Sequence, residues 1–495
     1  MDSPIVSSAE MRAAEQAAFD RGVAVEALMD QAGAGVAAAV EQFFPAPGTC
    51  VVFAGKGHNG GDALVAARCL QRLGWNVESH LAYPENECSE LTRKKLAELA
   101  SEQFPVASDI RPGHFVILDG LLGVGAKRHL RDPIRSAAQE INRRRREHNA
   151  FVFAIDLPTG LDSDTGELDP PECVKADVTV TIGFAKRGLV ADSAIDFVGR
   201  LEVVPLPDLT VPTRDHEIIA ARHSLGQVLP RRQFSAYKNL FGRIGVVAGS
   251  EGFLGAAILA TKGALRAGAG LVNMFVPRAL YSTVAALAPD EAMVKPVESY
   301  TELLNENNVD VWAIGPGLGT NRAEELLQVI EQADQPMVVD ADGLNMMATK
   351  IDILNRCRGP RLVTPHPGEM KRLFDAGKMP RAKIAKQFCE KFPVTLLFKG
   401  SRTIVCQRDR PLSYNSTGNP GMAAGGTGDV LTGVCAALLG QKLAPYEAAR
   451  LGAWLCGRAA EIAVFQSGQS EESLLPRDVI DHLGSAFNDL RRSSV

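Results

Sequence analysis

Cysteine motifs, long apolar runs and an excess of basic charge are all missing from this sequence of 495 residues. Its nine cysteines occur singly, without a C-x-x-C pair or a Cys/His cluster at zinc spacing. We therefore predict neither a disulfide framework nor a structural zinc site. Charged residues such as Lys262 and Arg266 interrupt the apolar segments, and the first residues contain no apolar core typical of an export signal. We expect a reduced, cytoplasmic protein without a membrane partner.

Basic charge is too low for a typical nucleic-acid-binding domain. The net charge is -5 and the isoelectric point is about 6.1, whereas such domains are expected to be basic. The basic run at residues 143–146 precedes an apolar segment and is typical of the solvated end of a helix. We expect no nucleic-acid partner. With 46% hydrophobic and 22% charged residues, the chain has the composition of a globular protein with full-sized cores.

Apolar strands that end in Asp or Gly and are followed by a helix recur along the chain. In the N-terminal half, residues 51–54 precede GKGHNGGD, predicted as a loop, and residues 63–73, predicted as a helix. Such alternation predicts α/β domains with parallel sheets and ligand sites at the carboxyl ends of the strands. The pattern lapses in a proline-containing segment between residues 203 and 225. We therefore predict two domains, residues 1–210 and 220–495.

Residues 418–431, GNPGMAAGGTGDVL, combine glycines, a threonine and an aspartate directly before an apolar segment. We predict that residues 430–439 form a buried helix, and that the backbone amides at its N-terminus hold an oxyanion such as phosphate. Asp429 would lie in the first turn, where it could accept a proton from a hydroxyl group that is being phosphorylated. A glycine-rich turn capped by an ordinary aspartate is the alternative.

The first loop of the N-terminal half satisfies G-x-G-x-x-G at Gly55, Gly57 and Gly60. Glu78 follows at about the distance of a ribose-binding acid, so this pattern alone indicates a dinucleotide cofactor. The pattern is weak on its own, and the loop also contains more polar side chains than a backbone clamp for pyrophosphate needs. Such a loop could instead hold the nicotinamide end of a cofactor or a cation.

Three oxygen-bearing residues, Asn59, Asp119 and Thr159, follow three successive predicted strands. Such ligands suit a hard cation such as potassium or magnesium. Three unrelated capping residues are the alternative.

Two strand ends of the C-terminal half contain residues that could contact a ligand. His366 lies between two prolines, where a ligand contact and a structural role are equally compatible with the sequence. Lys399, before Gly400, could reach a nucleotide phosphate as a mobile charge. The sequence contains no G-x-x-x-x-G-K-[ST], so we predict that any nucleotide is held without a P-loop.

Together these motifs resemble the bacterial bifunctional NAD(P)H-hydrate repair enzymes along almost the entire chain. HNGGD at residues 58–62 is similar to the NNGGD loop of the NAD(P)H-hydrate epimerase, which implies a Rossmann-like N-terminal domain. GPGLG, TPHPGE, KGSRT and GGTGD, which begin at residues 315, 364, 399 and 425, are similar to the ADP-dependent hydrate dehydratase, which implies a ribokinase-like C-terminal α/β domain. The chain departs from the family pattern at His58, where Asn is usual, and at Ala63, where Gly is common.

The resemblance implies an epimerase site in the N-terminal domain, with Asp156 as the proton-transfer group and as a substrate contact. It implies K⁺ as the cofactor, with Asn59, Asp119 and Thr159 as its ligands. The other implied substrate-binding residues are His58, Asn59, Gly60, Gly61, Asp62, Gly123, Val124, Gly125, Ala126, Lys127, Arg128 and His129.

In the C-terminal domain the resemblance implies Asp429 as the catalytic base and as a substrate contact, with Mg²⁺ as cofactor and ADP as co-substrate. The other implied contacts of the substrate are Ala257, Gly317 and His366. The implied nucleotide-binding residues are Lys399, Gly400, Ser401, Arg402, Thr403 and Gly428.

The implied function is repair of hydrated NADH and NADPH (NADHX and NADPHX). The N-terminal domain would interconvert the R and S hydrates, and the C-terminal domain would dehydrate the S hydrate with ADP, releasing AMP and phosphate. We also expect a homo-oligomer. The motifs leave three alternatives open: an NAD-dependent dehydrogenase, a small-molecule kinase, and a nucleotide-binding protein without catalytic activity.

Overall fold

The computed structural model describes residues 2–102, 114–125, 129–211 and 216–492. Within these ranges the chain forms two compact units, Asp2–Ile219 and a second unit that begins at Ala220. Ala126, Lys127 and Arg128, which belong to the predicted substrate site, lie outside the described residues. Among the residues that are described, no helix has the length and apolar character needed to cross a membrane.

The N-terminal unit consists of helices around a parallel sheet. Its helices are α1 (Ser8–Asp20), α2 (Val25–Phe43), α3 (His58–Arg72), α4 (Glu90–Ser101), α5 (Ile134–Glu147) and α6 (Ile195–Val198). Its strands are β1 (Ser3–Val6), β2 (Thr49–Ala54), β3 (Asn76–Leu81), β4 (Phe115–Gly120), β5 (Phe151–Ile155), β6 (Val178–Ile182), β7 (Ala185–Lys186) and β8 (Arg200–Val204), and β9 (Ile218–Ala220) crosses the boundary between the units.

Strand order explains where a ligand site can form in the N-terminal unit. The six-stranded sheet has the order β3-β2-β4-β5-β6-β8, and all of its neighbouring strands are parallel. The chain moves from β2 outward to β3 and then returns to the other side of β2 with β4. At such a switch point the two following loops diverge and leave a crevice beyond the strand ends.

The C-terminal unit is also built on a largely parallel sheet. Its helices are α7 (Arg222–Leu225), α8 (Leu254–Arg266), α9 (Tyr281–Leu287), α10 (Ala323–Gln332), α11 (Ala341–Met347), α12 (Pro367–Leu373), α13 (Arg381–Lys391), α14 (Thr427–Gly440), α15 (Pro445–Phe465) and α16 (Pro476–Arg492). Its strands are β10 (Arg243–Val247), β11 (Leu271–Pro277), β12 (Ala292–Val297), β13 (Val311–Ile314), β14 (Met337–Val339), β15 (Arg361–Val363), β16 (Thr395–Phe398), β17 (Ile404–Cys406) and β18 (Ser413–Asn415).

The order of these strands is β12-β11-β10-β13-β14-β15-β16-β17-β18. Neighbours from β12 to β16 are parallel, and β17 pairs antiparallel with both β16 and β18. The switch point lies between β10 and β13. The prediction of an α/β fold with parallel sheets in both halves is confirmed.

Helix α14 lies in the main core of the C-terminal unit. Every residue from Val430 to Gly440 is buried, and its apolar side chains pack with those of α8, α15 and the sheet. The helix predicted over residues 430–439 is therefore confirmed, although it begins earlier, at Thr427. Its burial fixes the position of its first turn relative to the strand ends.

Candidate active sites

The loop after β2 is shorter than the sequence predicted. Helix α3 begins at His58, so only residues 55–57 separate it from the strand, and the prediction that all of GKGHNGGD is a loop was wrong. Glycines favour loops, but here they lie inside a helix, at positions where close packing leaves no room for a side chain. A side chain at Gly60 would overlap the Gly55 carbonyl, and one at Gly61 would lie 2.5 Å from Sδ of Met29. His58 is exposed at the start of the helix.

The predicted cation ligands lie around the switch point of the N-terminal sheet. Asp119 near the end of β4 accepts hydrogen bonds from the backbone N–H and the hydroxyl group of Thr159, both at 2.8 Å. Asn59 lies beside Gly123, where an added Cβ would be 3.4 Å from its Oδ1. The buried Nδ2 of Asn59 has no hydrogen-bond partner among the described residues.

Burial raises the pKa of Asp119 to about 6. The hydrogen bonds from Thr159 and Leu121 lower the pKa, but their effect is smaller than that of burial. Within the described residues, no cationic side chain forms an ion pair with this carboxylate. Carboxylate, amide and hydroxyl oxygens are hard ligands, and a cation would offset the cost of burying the charge. The arrangement therefore fits a hard monovalent or divalent cation.

Asp156 lies directly after β5 and has a left-handed backbone, with φ of 67°. Its Oδ1 accepts hydrogen bonds from the buried amine of Lys186, from the backbone N–H of Ile182 at 3.2 Å and from the hydroxyl of Thr181 at 3.4 Å. A non-glycine residue in this conformation needs support from its surroundings. Here the ion pair and the two hydrogen bonds supply that support.

Two further carboxyl groups face this ion pair. Burial is the main cause that raises the pKa of Asp62 on α3 well above its ordinary value, and the charge of Asp156 adds to it. Burial likewise raises the pKa of Glu15 on α1, again with Asp156 as the second cause. Two helices and two strands thus contribute to one cluster of acid–base groups, and a carboxyl group whose pKa is raised is favoured as a proton donor.

The rest of the predicted substrate loop is only partly described. Gly125 has a left-handed backbone with φ of 107° and Val124 precedes it in a turn. His129 is exposed, and its Nδ1 lies 2.9 Å from Oδ2 of Asp169. Glu78 lies within β3 and pairs with His80 at 2.7 Å, so it lies along the edge strand and not in the loop beyond it.

At the C-terminal site, Gly426 forms the N-cap of α14 with φ of 98°, a conformation that favours glycine. A side chain there would also lie 2.5 Å from Cδ1 of Leu259. Gly428 and Asp429 occupy the first turn, where backbone N–H groups have no acceptor within the helix. The predicted position of Asp429 is confirmed, and the free amides can bind an anion.

Burial raises the pKa of Asp429 to about 7, with a further contribution from the negative charge of Asp340. The amine of Lys399 opposes this shift, and Asp342 adds to it. A carboxyl group with a pKa near neutrality can both accept and return a proton at physiological pH. Asp429 thus has the chemistry expected of a general base.

Lys399 lies at the end of β16 and points toward the first turn of α14. Its Nζ is 2.6 Å from Oδ1 of Asp340 and 3.8 Å from Oε2 of Glu369. A Cβ at Gly428 would be 3.3 Å from the same Nζ. The other oxygen of Asp340 accepts a hydrogen bond of 2.8 Å from the hydroxyl of Thr432.

His366 is the N-cap of α12. Its Nδ1 accepts a hydrogen bond of 2.9 Å from the backbone N–H of Gly368, and its backbone N–H donates to Glu369 at 2.8 Å. Because Nδ1 is an acceptor, the neutral ring carries its proton on Nε2. The side chain is half-exposed, and its Nε2 lies 3.5 Å from Oε1 of Glu369, so a ligand that takes this N–H would compete with that carboxylate.

Ala257 and Gly317 flank the switch point between β10 and β13. Ala257 packs against Gly249 after β10, where an added Cβ would be 3.1 Å from the Ala257 Cβ. Gly317 has φ of 60°, and a Cβ there would be 2.9 Å from the Cβ of Phe253. The hydroxyl of Ser250 donates a hydrogen bond of 2.8 Å to the Gly317 carbonyl, which holds the two loops together.

The remaining predicted nucleotide contacts follow Lys399 in a turn. Ser401 is exposed, Arg402 is buried, and the Thr403 hydroxyl donates to the Gly400 carbonyl at 3.1 Å. The structure therefore brings Lys399, Gly428 and Asp429 together, whereas Arg402 is turned into the protein.

Sequence reasoning missed four residues that border these sites: Glu15, Lys186, Asp340 and Thr432. Asp340 carried a detectable signal, because it directly follows a predicted strand, as the other strand-end residues do. Lys186 and Glu15 carried none, since each lies far in sequence from Asp156. Thr432 lies inside an apolar helix, where the sequence pattern does not distinguish it from the buried core residues around it.

Two family models and several curated proteins match the sequence of this chain. Residues 244–483 match the family model described as NAD(P)H-hydrate dehydratase, and residues 25–188 match the model described as YjeF-related protein N-terminus. The bifunctional NAD(P)H-hydrate repair enzyme of Moorella thermoacetica is 36% identical over 97% of this chain and 96% of its own. That of Escherichia coli is 33% identical over 97% of this chain and 93% of its own.

Solved structures that resemble this chain include the ADP/ATP-dependent NAD(P)H-hydrate dehydratase of Bacillus subtilis, co-crystallised with ATP/Mg²⁺. It is 27% identical and covers 55% of this chain and 99% of its own, with a TM-score of 0.48. A ribokinase-like superfamily protein of Enterococcus faecalis is 28% identical and covers 54% of this chain and 94% of its own, with a TM-score of 0.48. On the near full-length identity to the curated relatives, the chain belongs to the family of bifunctional NAD(P)H-hydrate repair enzymes.

Proposed function

We propose that this protein repairs hydrated NADH and NADPH in two steps. Residues 1–210 interconvert the R and S hydrates, and residues 220–495 dehydrate the S hydrate with ADP, releasing AMP and phosphate. The observation that carries the proposal is the position of Asp429, a partly buried carboxyl group with a pKa of about 7 in the first turn of a helix. The membership of the chain in the repair-enzyme family supports both steps.

In the dehydratase step, Asp429 removes the proton of the substrate hydroxyl as the oxygen attacks the β-phosphate of ADP. The bond between the β-phosphorus and the bridging oxygen breaks, and AMP leaves. The amides at the start of α14 and the amine of Lys399 stabilise the charge on the transferred group. The bond between the hydrated carbon and the phosphate oxygen then breaks, and a proton of the neighbouring carbon passes to the departing phosphate, which restores the ring double bond. His366, Ala257 and Gly317 hold the hydrate, with the N–H at Nε2 of His366 as a donor.

In the epimerase step, a protonated carboxyl group donates a proton to the hydroxyl group, the bond between that oxygen and the hydrated carbon breaks, and water leaves a ring iminium. Water then adds to the opposite face of this carbon while Asp156 accepts its proton, and the proton returns to the donor to close the cycle. Lys186 holds the carboxylate in place, while the raised pKa of Asp62 and of Glu15 favours their protonated forms as donors. His58 to Asp62 contact the substrate, together with the described residues Gly123, Val124, Gly125 and His129. This division of roles explains why one carboxyl group is paired with a cation and two others are not.

Two cations complete the proposal. Asn59, Asp119 and Thr159 would hold K⁺, whose charge would offset that of the buried Asp119 carboxylate. Mg²⁺ would accompany ADP, where it neutralises phosphate charge. The carboxyl groups of Asp340 and Glu369, which both face Lys399, offer the oxygen ligands that Mg²⁺ prefers.

We further propose that the protein acts in the cytoplasm as a homo-oligomer. Phe234, Tyr237 and Leu240 are exposed large apolar residues within one short segment, which supports association of subunits. Light scattering after size-exclusion chromatography measures the mass of the assembly. A particle of 52.9 kDa would contradict the homo-oligomer.

The decisive experiment supplies a mixture of R and S hydrates with and without ADP and follows all products. The wild-type protein should restore dihydronicotinamide absorbance from both epimers, only with ADP, and form AMP and phosphate in equal amounts. Asp156→Asn should at first consume only the S epimer. Asp429→Asn should interconvert the epimers but form no NADH or NADPH.

Other outcomes separate the alternatives. A stable phosphorylated product would identify a kinase, and hydride transfer without ADP would identify a dehydrogenase. Binding of nucleotide without any turnover would identify a scaffold. Each of these results would refute the proposed dehydratase, provided that circular dichroism shows a folded protein.

A further inference from the structure

Arg12 is a cationic side chain of the N-terminal unit for which the proposed mechanism has no role. It lies on α1 and is exposed, and its Nη2 donates a hydrogen bond of 3.4 Å to the hydroxyl of Ser8. Within the part of the chain that the structure describes, no carboxylate forms an ion pair with Arg12, whereas Arg187 pairs with Glu10 of the same helix at 3.2 Å. A guanidinium group carries several N–H donors, so most of those of Arg12 are available to a ligand.

The first turn of α1 is held firmly, and Arg12 extends from the next turn. The backbone N–H and the hydroxyl of Ser8 donate hydrogen bonds of 2.6 and 2.5 Å to the two carboxylate oxygens of Asp164. Ser7 and Glu10 form a reciprocal capping box at the same end of the helix. Because these contacts fix the start of the helix, they also fix the direction in which the side chain of Arg12 leaves it.

The guanidinium group of Arg12 lies beside the loop that is proposed to contact the substrate. A Cβ at Gly125 would be 3.9 Å from Nη1 of Arg12, the distance of ordinary van der Waals contact. Gly125 has a left-handed backbone with φ of 107°, and a glycine here adds no side chain between the loop and the guanidinium group. Arg12 therefore borders the proposed epimerase site.

The same face of α1 also carries Glu15, which belongs to the acid–base cluster around Asp156. Side chains three positions apart on a helix lie on one face, so Arg12 and Glu15 are neighbours along α1. The helix thus presents a carboxyl group to the cluster and, one turn earlier, a cation to the loop at Gly125. In a dinucleotide hydrate, a single ribose separates the reactive ring from the first phosphate, a span close to one helical turn of roughly 5 Å.

Arg12 supplies the positive charge that the rest of the described cluster does not. The buried amine of Lys186 is neutralised by its ion pair with Asp156, and the other members of the cluster are carboxyl groups. Lys56, in the loop after β2, lies over the ring of Tyr83, with its Nζ 4.5 Å from the ring centroid. A diphosphate group is anionic, and arginine matches phosphate oxygens with two parallel N–H donors.

We infer that Arg12 is a substrate-binding residue, which holds the diphosphate group of the NAD(P)H hydrate at the epimerase site. This inference rests on the proposed epimerase function and adds the group that recognises the nucleotide part of its substrate. Arg12 contacts the phosphates and not the ring, so it contributes binding energy equally before and during the reaction. Its loss should therefore raise KM and leave kcat unchanged.

The test measures initial rates of epimerisation of the R hydrate of NADH without ADP, so that the proposed dehydratase is idle. Arg12→Gln should raise KM about tenfold, the effect of losing one hydrogen-bonded charge, with kcat changed by less than about twofold. Arg12→Lys should recover part of the loss, because it keeps the charge but not the paired donors. Arg146→Gln is the matched control and should keep the wild-type KM. Arg146 is exposed near the end of α5, at the edge of the sheet opposite to the strand ends that form the site.

A second substrate separates a phosphate contact from a loss of packing. The hydrate of dihydronicotinamide riboside has the ring and the ribose but no phosphate, and its kcat/KM should be the same for the wild type and for Arg12→Gln. An ion pair with phosphate is also screened by salt. With K⁺ held constant, added sodium chloride should raise KM for the NADH hydrate in the wild type more than in Arg12→Gln.

An unchanged KM in Arg12→Gln, an equal loss of kcat/KM with the riboside hydrate, or the same salt dependence in both proteins would overturn the inference. A direct measurement does not need turnover. In protein labelled with ¹⁵N at arginine, the Nε–H resonance of Arg12 is assigned by its loss in Arg12→Lys. It should shift on addition of the NADH hydrate and stay in place with the riboside hydrate. Absence of epimerisation by the wild type would refute the proposed function alone, whereas a resonance that does not move would refute the role of Arg12.

Discussion

Replacing Asp429 by Asn should make the C-terminal unit more stable at high pH while abolishing repair. The pKa of Asp429 is raised from 3.8 to about 7, mainly by burial. Below pH 3.8 the group is protonated in both folded and unfolded chains. Between pH 3.8 and about 7 only the unfolded chain has lost the proton, so the free energy of unfolding falls as pH rises. Above about pH 7 the group is ionised in both the folded and the unfolded chain, so the free energy of unfolding falls no further because of it.

The magnitude follows from the size of the pKa shift. Each pH unit within this window costs about 1.4 kcal/mol, so the wild type should lose about 3 kcal/mol between about pH 5 and about pH 8 through this one group. Asp429→Asn cannot ionise and should not show that loss. Neighbouring charges also titrate and rearrange, which makes the value an upper limit.

Urea unfolding followed by tryptophan fluorescence is a suitable assay, because Trp312 and Trp454 are buried in the C-terminal unit. The advantage of Asp429→Asn over wild type should grow from pH 5 to pH 8 by about 3 kcal/mol. Asp290→Asn, at an exposed position, is the matched control and should follow the wild type at both pH values. An advantage for Asp429→Asn that does not depend on pH would refute the raised pKa.

Three further perturbations test the sites. Lys186→Met leaves the buried carboxylate of Asp156 without its cation, and it should destabilise the N-terminal unit by about 3–5 kcal/mol and abolish epimerisation. This variant should still dehydrate pure S hydrate. Loss of that dehydration would contradict the proposal that the two sites act independently. Replacing K⁺ by tetramethylammonium should slow epimerisation by the wild-type protein at least roughly tenfold. The rate of the Asp119→Asn variant should not depend on which of the two cations is present. Chromatography of the R and S hydrates measures both rates. Gly317→Ala introduces a Cβ 2.9 Å from that of Phe253 at φ of 60°, and it should raise KM for the hydrate by about tenfold while calorimetry shows unchanged affinity for ADP.

Strand ends were predictable from the sequence because a local pattern determines them. Buried strands of parallel sheets are short apolar runs, and Asp119, Asp156 and Lys399 each lie at or directly after such a run. The first turn of α14 was predictable for the same reason, since glycines and Asp429 stand next to a continuous apolar segment. These predictions needed no knowledge of which strands are neighbours.

Partners that meet across the sheet were not predictable. Lys186 reaches Asp156 because β7 follows a turn after β6, and no periodic pattern marks that approach. Thr432 bonds Asp340 over 92 positions of sequence, and only the burial of α14 against the sheet brings them together. The start of α3 at His58 was missed because glycine propensity favoured a loop, whereas packing against α2 favours a helix.

Each candidate site draws its described side chains from its own unit: Glu15, Asp62, Asp156 and Lys186 from the first, and Asp340, Lys399, Asp429 and Thr432 from the second. A genetic consequence follows. Ribosomes that translate this message produce the two sets of groups in a fixed ratio of one to one, and no change in promoter strength or messenger stability can alter it. Cells with this fused gene can adjust the balance between the two activities only through the turnover numbers of the sites themselves.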